Sequence, residues 1–141
     1  MQAIFEPTFV DARTPDFEVD NYLRILVAIA KADRENGPRE LAFIKEQARR
    51  LGADAELFIQ HTDKHFGIEK QKVSRLTALM ILRDAIVLAS LDRNFSLPER
   101  QRVYAYAEKL DVPRKDVDRL EALVADHRVL AERWRQLVAG H

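Results

Sequence analysis

Apolar residues recur along this chain at alternating steps of three and four, the spacing that lines one face of an α-helix. The first such face consists of Val19, Leu23, Leu26, Ala30 and Asp33. It predicts a helix that begins near residue 16 or 20 and ends between residues 31 and 33, so that Asp33 lies on the inward face. A strand would need a strict alternation of apolar and polar residues, and no segment of the sequence has one. The pattern therefore predicts an all-α fold.

Glycine and proline divide the rest of the chain into further helices. The predicted helices cover residues 38–51, 55–65, 70–91, 97–110 and 115–138. Asp54 is the expected N-cap of the third helix, which should bury Leu57, Phe58 and Phe66.

The last segment keeps the three-four spacing over its whole length. Its apolar stripe is formed by Val117, Leu120, Val124, His127, Ala131, Trp134 and Val138. This spacing predicts one long helix, or two short ones with a bend. On this stripe we expect His127 to be a packing residue and Trp134 to be a core or interface anchor.

The order of the helices repeats once, at an offset of 59 residues. At that offset Ala30, Asp33, Arg34 and Glu40 fall on Ala89, Asp92, Arg93 and Glu99. We therefore expect a bundle of six to seven helices within a single domain at 16–141, with short connections that make sequential helices neighbours. Its two related three-helix halves would cover about 19–66 and 73–125, followed by a C-terminal helical extension to 139.

Residues 1–15 are predicted to form an extended N-terminal arm, because Pro7 and Pro15 break helices. The apolar anchors of this arm are Ile4, Phe5, Phe9 and Val10. The arm either packs over its own core or is donated to a partner subunit.

Composition and charge narrow the function classes. The 141 residues include 23 Lys and Arg and 23 Asp and Glu, so the chain lacks the net positive charge of general nucleic-acid binders. The absence of cysteine excludes disulfides and thiolate chemistry. No uncharged apolar stretch approaches the roughly 20 residues that span a bilayer. We expect no membrane insertion and a cytoplasmic location.

The candidate functional residues lie in a turn that occurs once in each half. In each copy an aspartate, Asp33 or Asp92, ends a helix on its inward side, and a glutamate, Glu40 or Glu99, stands seven residues later in the first turn of the next helix. The glutamates meet the positive end of a helix dipole, whereas the aspartates meet the negative end and need a counter-charge or several donors. A hard divalent cation could provide this counter-charge, since carboxylate and amide oxygens are its preferred ligands.

The candidate ligands of such a cation are Asp33, Glu35, Glu40, Asp92, Asn94 and Glu99. A structural interpretation stays open beside it. Ser96 and Glu99 fit a capping box, and the aspartates can accept loop amides or pair with Arg34, Arg93 or Arg39. The spacing also differs from the twelve-residue calcium loop.

These turns resemble those of the TerB-like domains of tellurite-resistance and stress-response proteins. That family has an apolar helix ending in Ala-Asp-Gly and a glutamate that opens the next helix, with the unit present twice. Here Ala32-Asp33-Arg34 with Glu40, and Leu91-Asp92-Arg93 with Glu99, supply the two copies. The resemblance covers about residues 19–123 and implies an all-helical fold with a divalent-cation site, for which Ca²⁺ or Mg²⁺ is the candidate. Arg34 and Arg93 replace the family's glycine, so their charge is a candidate substitute for the metal.

Three function classes follow. The first is a non-enzymatic stress-response module that binds a protein partner and a divalent cation at the acidic turns. The second is a metal-assisted hydrolase that uses the same carboxylates. The third is a structural subunit with capped turns, whose arm or last helix forms a homodimer interface. Of the remaining residues, His61 and His65 have the four-residue spacing of a zinc pair, without an evident third ligand.

Overall fold

A computed structural model describes residues 16–32, 37–62, 72–90 and 96–140 of the chain. Within these ranges it contains six α-helices and no strand, which confirms the all-α prediction. The helices are α1 (Val19–Ala32), α2 (Gly37–Leu51), α3 (Ala55–His61), α4 (Arg75–Ala89), α5 (Leu97–Lys109) and α6 (Arg114–Val138).

Two helices, α1 and α4, form the centre of the bundle and pack against each other. α1 also packs against α2 and α3, whereas α4 packs against α5 and α6. α1 is buried from Ile25 to Ala30, and α4 is buried from Met80 to Leu88. Such nearly complete burial needs neighbours on several sides of a helix. The predicted relation between the two halves and the predicted domain limits stay predictions.

The N-termini of α1 and α4 are joined by hydrogen bonds. The Ser74 amide donates to Glu18 Oε1 at 2.6 Å, and the Glu18 amide donates to Thr77 Oγ1 at 2.9 Å. Ser74 is also the N-cap of α4, and its hydroxyl donates to the Asp16 carbonyl at 2.5 Å. Backbone amides at the start of a helix lack an acceptor within the helix. Here Glu18, which precedes α1, accepts from the amide of Ser74 at the start of α4, and Thr77 of α4 accepts from the amide of Glu18.

Two predicted helix limits were wrong. α3 ends at His61 rather than at residue 65, because Thr62 adopts an extended backbone. α4 begins at Arg75 rather than at residue 70, because Ser74 caps it. Leu57, predicted to be buried, is 54% exposed, while Phe58 is half-buried against the core. Asp54 is confirmed as the N-cap of α3, since its side chain accepts from the Glu56 amide at 3.1 Å.

The last segment is one continuous helix of 25 residues. Its stripe is buried at Val117, Leu120, Val124 and Ala131. The same stripe is exposed further on, at Trp134 and Val138. α6 is about 37 Å long and α4 about 22 Å, at 1.5 Å per residue. α4 is therefore too short to cover the whole length of α6, which also packs against α5. The predicted arm and Phe66 lie outside the described residues.

Candidate functional site

The candidate ligands divide between segments that the structure describes and segments that it does not. Segments 33–36 and 91–95 lie outside the described residues. They contain Asp33, Arg34, Glu35, Asp92, Arg93 and Asn94. Their assignments as ligands or charge substitutes therefore stay predictions. Glu40 and Glu99 are described, and both lie in the first turn of their helices as expected.

Glu40 and Glu99 line the same cavity, which has a volume of about 610 Å³. Glu40 comes from α2 and is 9% exposed, while Glu99 comes from α5 and is half-buried. The cavity walls come from α1, α2, α4 and α5. The central pair of helices thus brings together two first turns that are 59 residues apart in sequence. Each turn was predicted by itself, but their meeting in one cavity was not.

The cavity combines an apolar wall with a few polar groups. Its apolar side chains include Leu26, Ile29, Ala85 and Leu88. Oxygen atoms that can coordinate a cation are provided by Glu40, Glu99, Ser96 and Tyr106. Among the described lining residues Arg102 is the one cation, so two carboxylates face one guanidinium group.

This donor chemistry suits a hard cation, because carboxylate and hydroxyl oxygens are its ordinary ligands. Within the described ranges, however, no three His, Asp or Glu side chains are placed to hold a metal together. Glu40 and Glu99 would therefore need further oxygens from the two turns that precede them.

Glu99 also takes part in the cap of α5. Ser96 Oγ accepts from the Glu99 amide at 3.3 Å and donates to Glu99 Oε1 at 3.0 Å. In a standard capping box the glutamate side chain would accept from the backbone amide of the N-cap residue. Here it accepts the serine hydroxyl instead. The predicted N-cap at Ser96 is confirmed, and one Glu99 oxygen is committed to it.

A buried polar cluster, which the apolar pattern did not predict, lies between the two central helices. Asp84 is 0% exposed and Arg83 is 2% exposed, and both lie in the middle of α4. Asp84 Oδ1 accepts from Arg83 Nε at 2.8 Å, and Asp84 Oδ2 accepts from the Tyr22 hydroxyl. The available signal was the presence of two charged residues inside an otherwise apolar run. Buried charges require such partners.

The electrostatics of this cluster follow from its burial. Desolvation raises the pKa of Asp84, and the Arg83 guanidinium opposes that rise. Burial, followed by the nearby Asp84 carboxylate, raises the pKa of Tyr22 well above its ordinary value. The opposite charges of Arg83 and Asp84 favour the ion pair that joins α4 to Tyr22 on α1. None of these three residues lines the cavity of Glu40 and Glu99, and their contacts join α1 to α4.

The histidine candidates are only partly described by the structure. His61 is exposed on α3, and His65 lies outside the described residues, so the zinc pair stays a prediction. His127 is half-buried on α6. Three basic residues of α2 form ion pairs, in which Arg49 and Arg50 contact Glu46 and Lys45 contacts Glu56.

Comparisons of this chain with protein-family models, with curated proteins and with solved structures find no match. The resemblance to TerB-like domains therefore rests on the two sequence motifs. In the described ranges no helix has both the length and the apolar character needed to cross a membrane.

Proposed function

We propose that this protein is a non-enzymatic, TerB-like stress-response module that binds a protein partner and a divalent cation, Ca²⁺ or Mg²⁺, at its paired acidic turns. The observation that supports the cation site is the shared cavity of Glu40 and Glu99. Two carboxylates from separate helices around one space attract a cation more strongly than either does alone. Asp33 and Asp92 precede these glutamates by seven residues and are the further ligands in this proposal.

A binding role is favoured over a metal-assisted hydrolase by the chemistry of the cavity. Its described lining residues include no His, Cys or Lys, which are common bases and nucleophiles. Ser96 carries the lining hydroxyl that could act as a nucleophile, and this hydroxyl is hydrogen-bonded in the cap of α5. Glu40 and Glu99 are the lining carboxylates that could act as acid or base, and in this proposal they serve as ligands of the ion.

Thermal unfolding in the presence of CaCl₂, MgCl₂ or MnCl₂ tests the cation site. A cation that binds only the folded chain adds about 2.7 kcal/mol of stability at 100 times its Kd. For a chain of this size that corresponds to a rise of roughly 5–15 °C in Tm. Asp92→Asn should abolish the shift, whereas Glu108→Gln, a change at an exposed residue of α5, should preserve it. No shift with any of the three cations at millimolar concentration would contradict the proposal.

A second candidate function is a structural subunit whose turns are capped without metal. The hydrogen bonds between Ser96 and Glu99 favour it, because they give Glu99 a role that needs no ion. Under this alternative Ser96→Ala lowers the Tm and no cation changes it. Under the cation proposal Ser96→Ala lowers the Tm while a cation-induced shift persists.

A further inference from the structure

The outer face of α6 carries an apolar stripe that the rest of the described chain leaves exposed. Leu123, Leu130 and Leu137 recur every seven residues and are 53%, 50% and 70% exposed. Trp134, at 39% exposed, falls between the last two of them. Together with His127, which like Trp134 also borders the partly buried stripe of α6 described above, these residues follow steps of four and three along one line of the helix. This is the spacing of a helix that packs lengthwise against another helix.

The stripe differs in direction from the face that α6 uses inside the bundle. At about 100° per residue, Leu123 and Leu130 point within about 20° of each other, and the buried Val124 and Ala131 point about 80–120° away from them. α6 therefore presents two apolar faces. The inner one packs on α4 and α5, and Leu123, Leu130 and Leu137 of the outer one are exposed.

Two charged residues flank the stripe on one side, Asp126 and Arg133, and both are exposed. They occupy equivalent heptad positions one repeat apart. When two copies of one helix pack antiparallel, these positions face each other across the contact. Asp126 then meets the partner's Arg133, and the two-fold symmetry repeats the pair, so both contacts join opposite charges.

Other arrangements lack this complementarity. A slip of the antiparallel pair by one heptad places Arg133 against the partner's Arg133, which is repulsive. A parallel pair places Asp126 against the partner's Ala131 and leaves both charges without an opposite charge across the contact. The favoured arrangement instead packs Leu123 against the partner's Trp134 and Leu130 against the partner's His127.

We infer that the outer face of α6 binds a second copy of this chain in an antiparallel, two-fold symmetric contact centred between Arg128 and Val129. The surface is separate from the acidic cavity, whose lining contains no residue of α6. The contact therefore does not depend on cation binding. The stretch from Leu123 to Leu137 is about 21 Å long, which is short for a permanent interface. We expect a reversible dimer with a Kd of about 10–100 µM.

Sedimentation equilibrium of the full chain, in EDTA and from about 5 µM to 1 mM, tests the dimer. The predicted result is a monomer–dimer equilibrium in that range. Leu130→Glu should weaken it at least tenfold, because it places a charge at the centre of the contact. Val129→Glu is the matched control, since Val129 is also 50% exposed on the same helix but points about 100° away. Far-UV circular dichroism and Tm check that both variants fold.

A charge exchange tests the antiparallel register. Asp126→Arg and Arg133→Asp should each weaken the dimer about tenfold, because each creates two like-charge contacts. The double variant should restore the affinity, since it exchanges both charges together. A double variant as weak as the single ones contradicts the register.

Two further results would overturn the dimer itself. One is a chain that stays monomeric up to about 1 mM, and the other is a dimer that Leu130→Glu leaves unchanged. If the full chain were monomeric and Phe5→Ser with Phe9→Ser made it dimerise, the N-terminal segment would be assigned to this face instead. Because EDTA is present throughout, none of these outcomes bears on the cation site.

Discussion

Tyr22 on α1 donates its hydroxyl hydrogen to Asp84 on α4, and both side chains are buried in the core. Asp84 also pairs with its neighbour Arg83. The hydrogen bond joins the two helices on which all the others pack. Removing one partner of a buried ion pair is costly because it leaves the other charge in a medium of low polarity.

We therefore predict that Asp84→Ala lowers the free energy of unfolding by about 3–5 kcal/mol. Urea denaturation followed by circular dichroism measures this change. Glu46→Ala is the control, because it removes the partly exposed ion pairs with Arg49 and Arg50 and should cost about 0–1 kcal/mol. Equal losses for the two variants would show that the buried pair has no special role.

The stability of the protein should fall at alkaline pH through Tyr22. Its pKa is raised well above 10.0 in the folded state, chiefly by burial. Above about pH 10 the unfolded chain has therefore lost the phenol proton while the folded chain keeps it. The contribution is fully present below the unfolded pKa and is lost as pH rises through the folded pKa, with a slope of at most about 1.4 kcal/mol per pH unit.

Urea denaturation between pH 9 and pH 11 measures that slope. Tyr22→Phe should be clearly shallower than the unaltered chain, although its stability at neutral pH is lower. Tyr104→Phe is the control. A hydrogen bond with Asp118 raises the pKa of Tyr104 as well, but this group is exposed to screening by solvent. Identical slopes for the Tyr22→Phe variant and the unaltered chain would disprove the assignment.

The two serine caps should differ in their contribution to stability. Ser74 Oγ accepts from the Thr77 amide at 3.1 Å and also donates to the chain before α1. Ser96 Oγ bonds within its own turn. We expect Ser74→Ala to cost about 1–2 kcal/mol and Ser96→Ala about 0.5–1 kcal/mol. Ser74→Thr, which keeps a hydroxyl, should lose less than Ser74→Ala. The reverse order between the two alanine variants would argue against the link between α1 and α4.

Local signals were sufficient to predict most helices. The Ser96-Leu97-Pro98-Glu99 sequence predicted the start of α5 at Leu97, because a cap and a first-turn proline act within one turn. The start of α4 was missed because the N-cap at Ser74 lies inside a continuous helical pattern. Its role depends on Glu18 and Asp16, which are distant in sequence.

The spacing of apolar residues could not predict which side chains of different helices contact each other. The apolar pattern alone predicts that charged residues such as Arg83 and Asp84 lie on the surface. Their burial depends on Tyr22, which is 62 residues away from Asp84 in sequence. Similarly, the sequence predicted Glu40 and Glu99 as separate first-turn residues. Their common cavity results from the packing of α1 on α4, which no local pattern encodes.

The stoichiometry of Mn²⁺ binding, measured by electron paramagnetic resonance of the free ion, tests the paired acidic turns most directly. If Glu40 and Glu99 serve one site, the chain binds one ion, and Glu40→Gln or Glu99→Gln each removes it. Glu108→Gln should leave binding unchanged. Two independent ions per chain, or one ion that survives both cavity substitutions, would contradict the shared site.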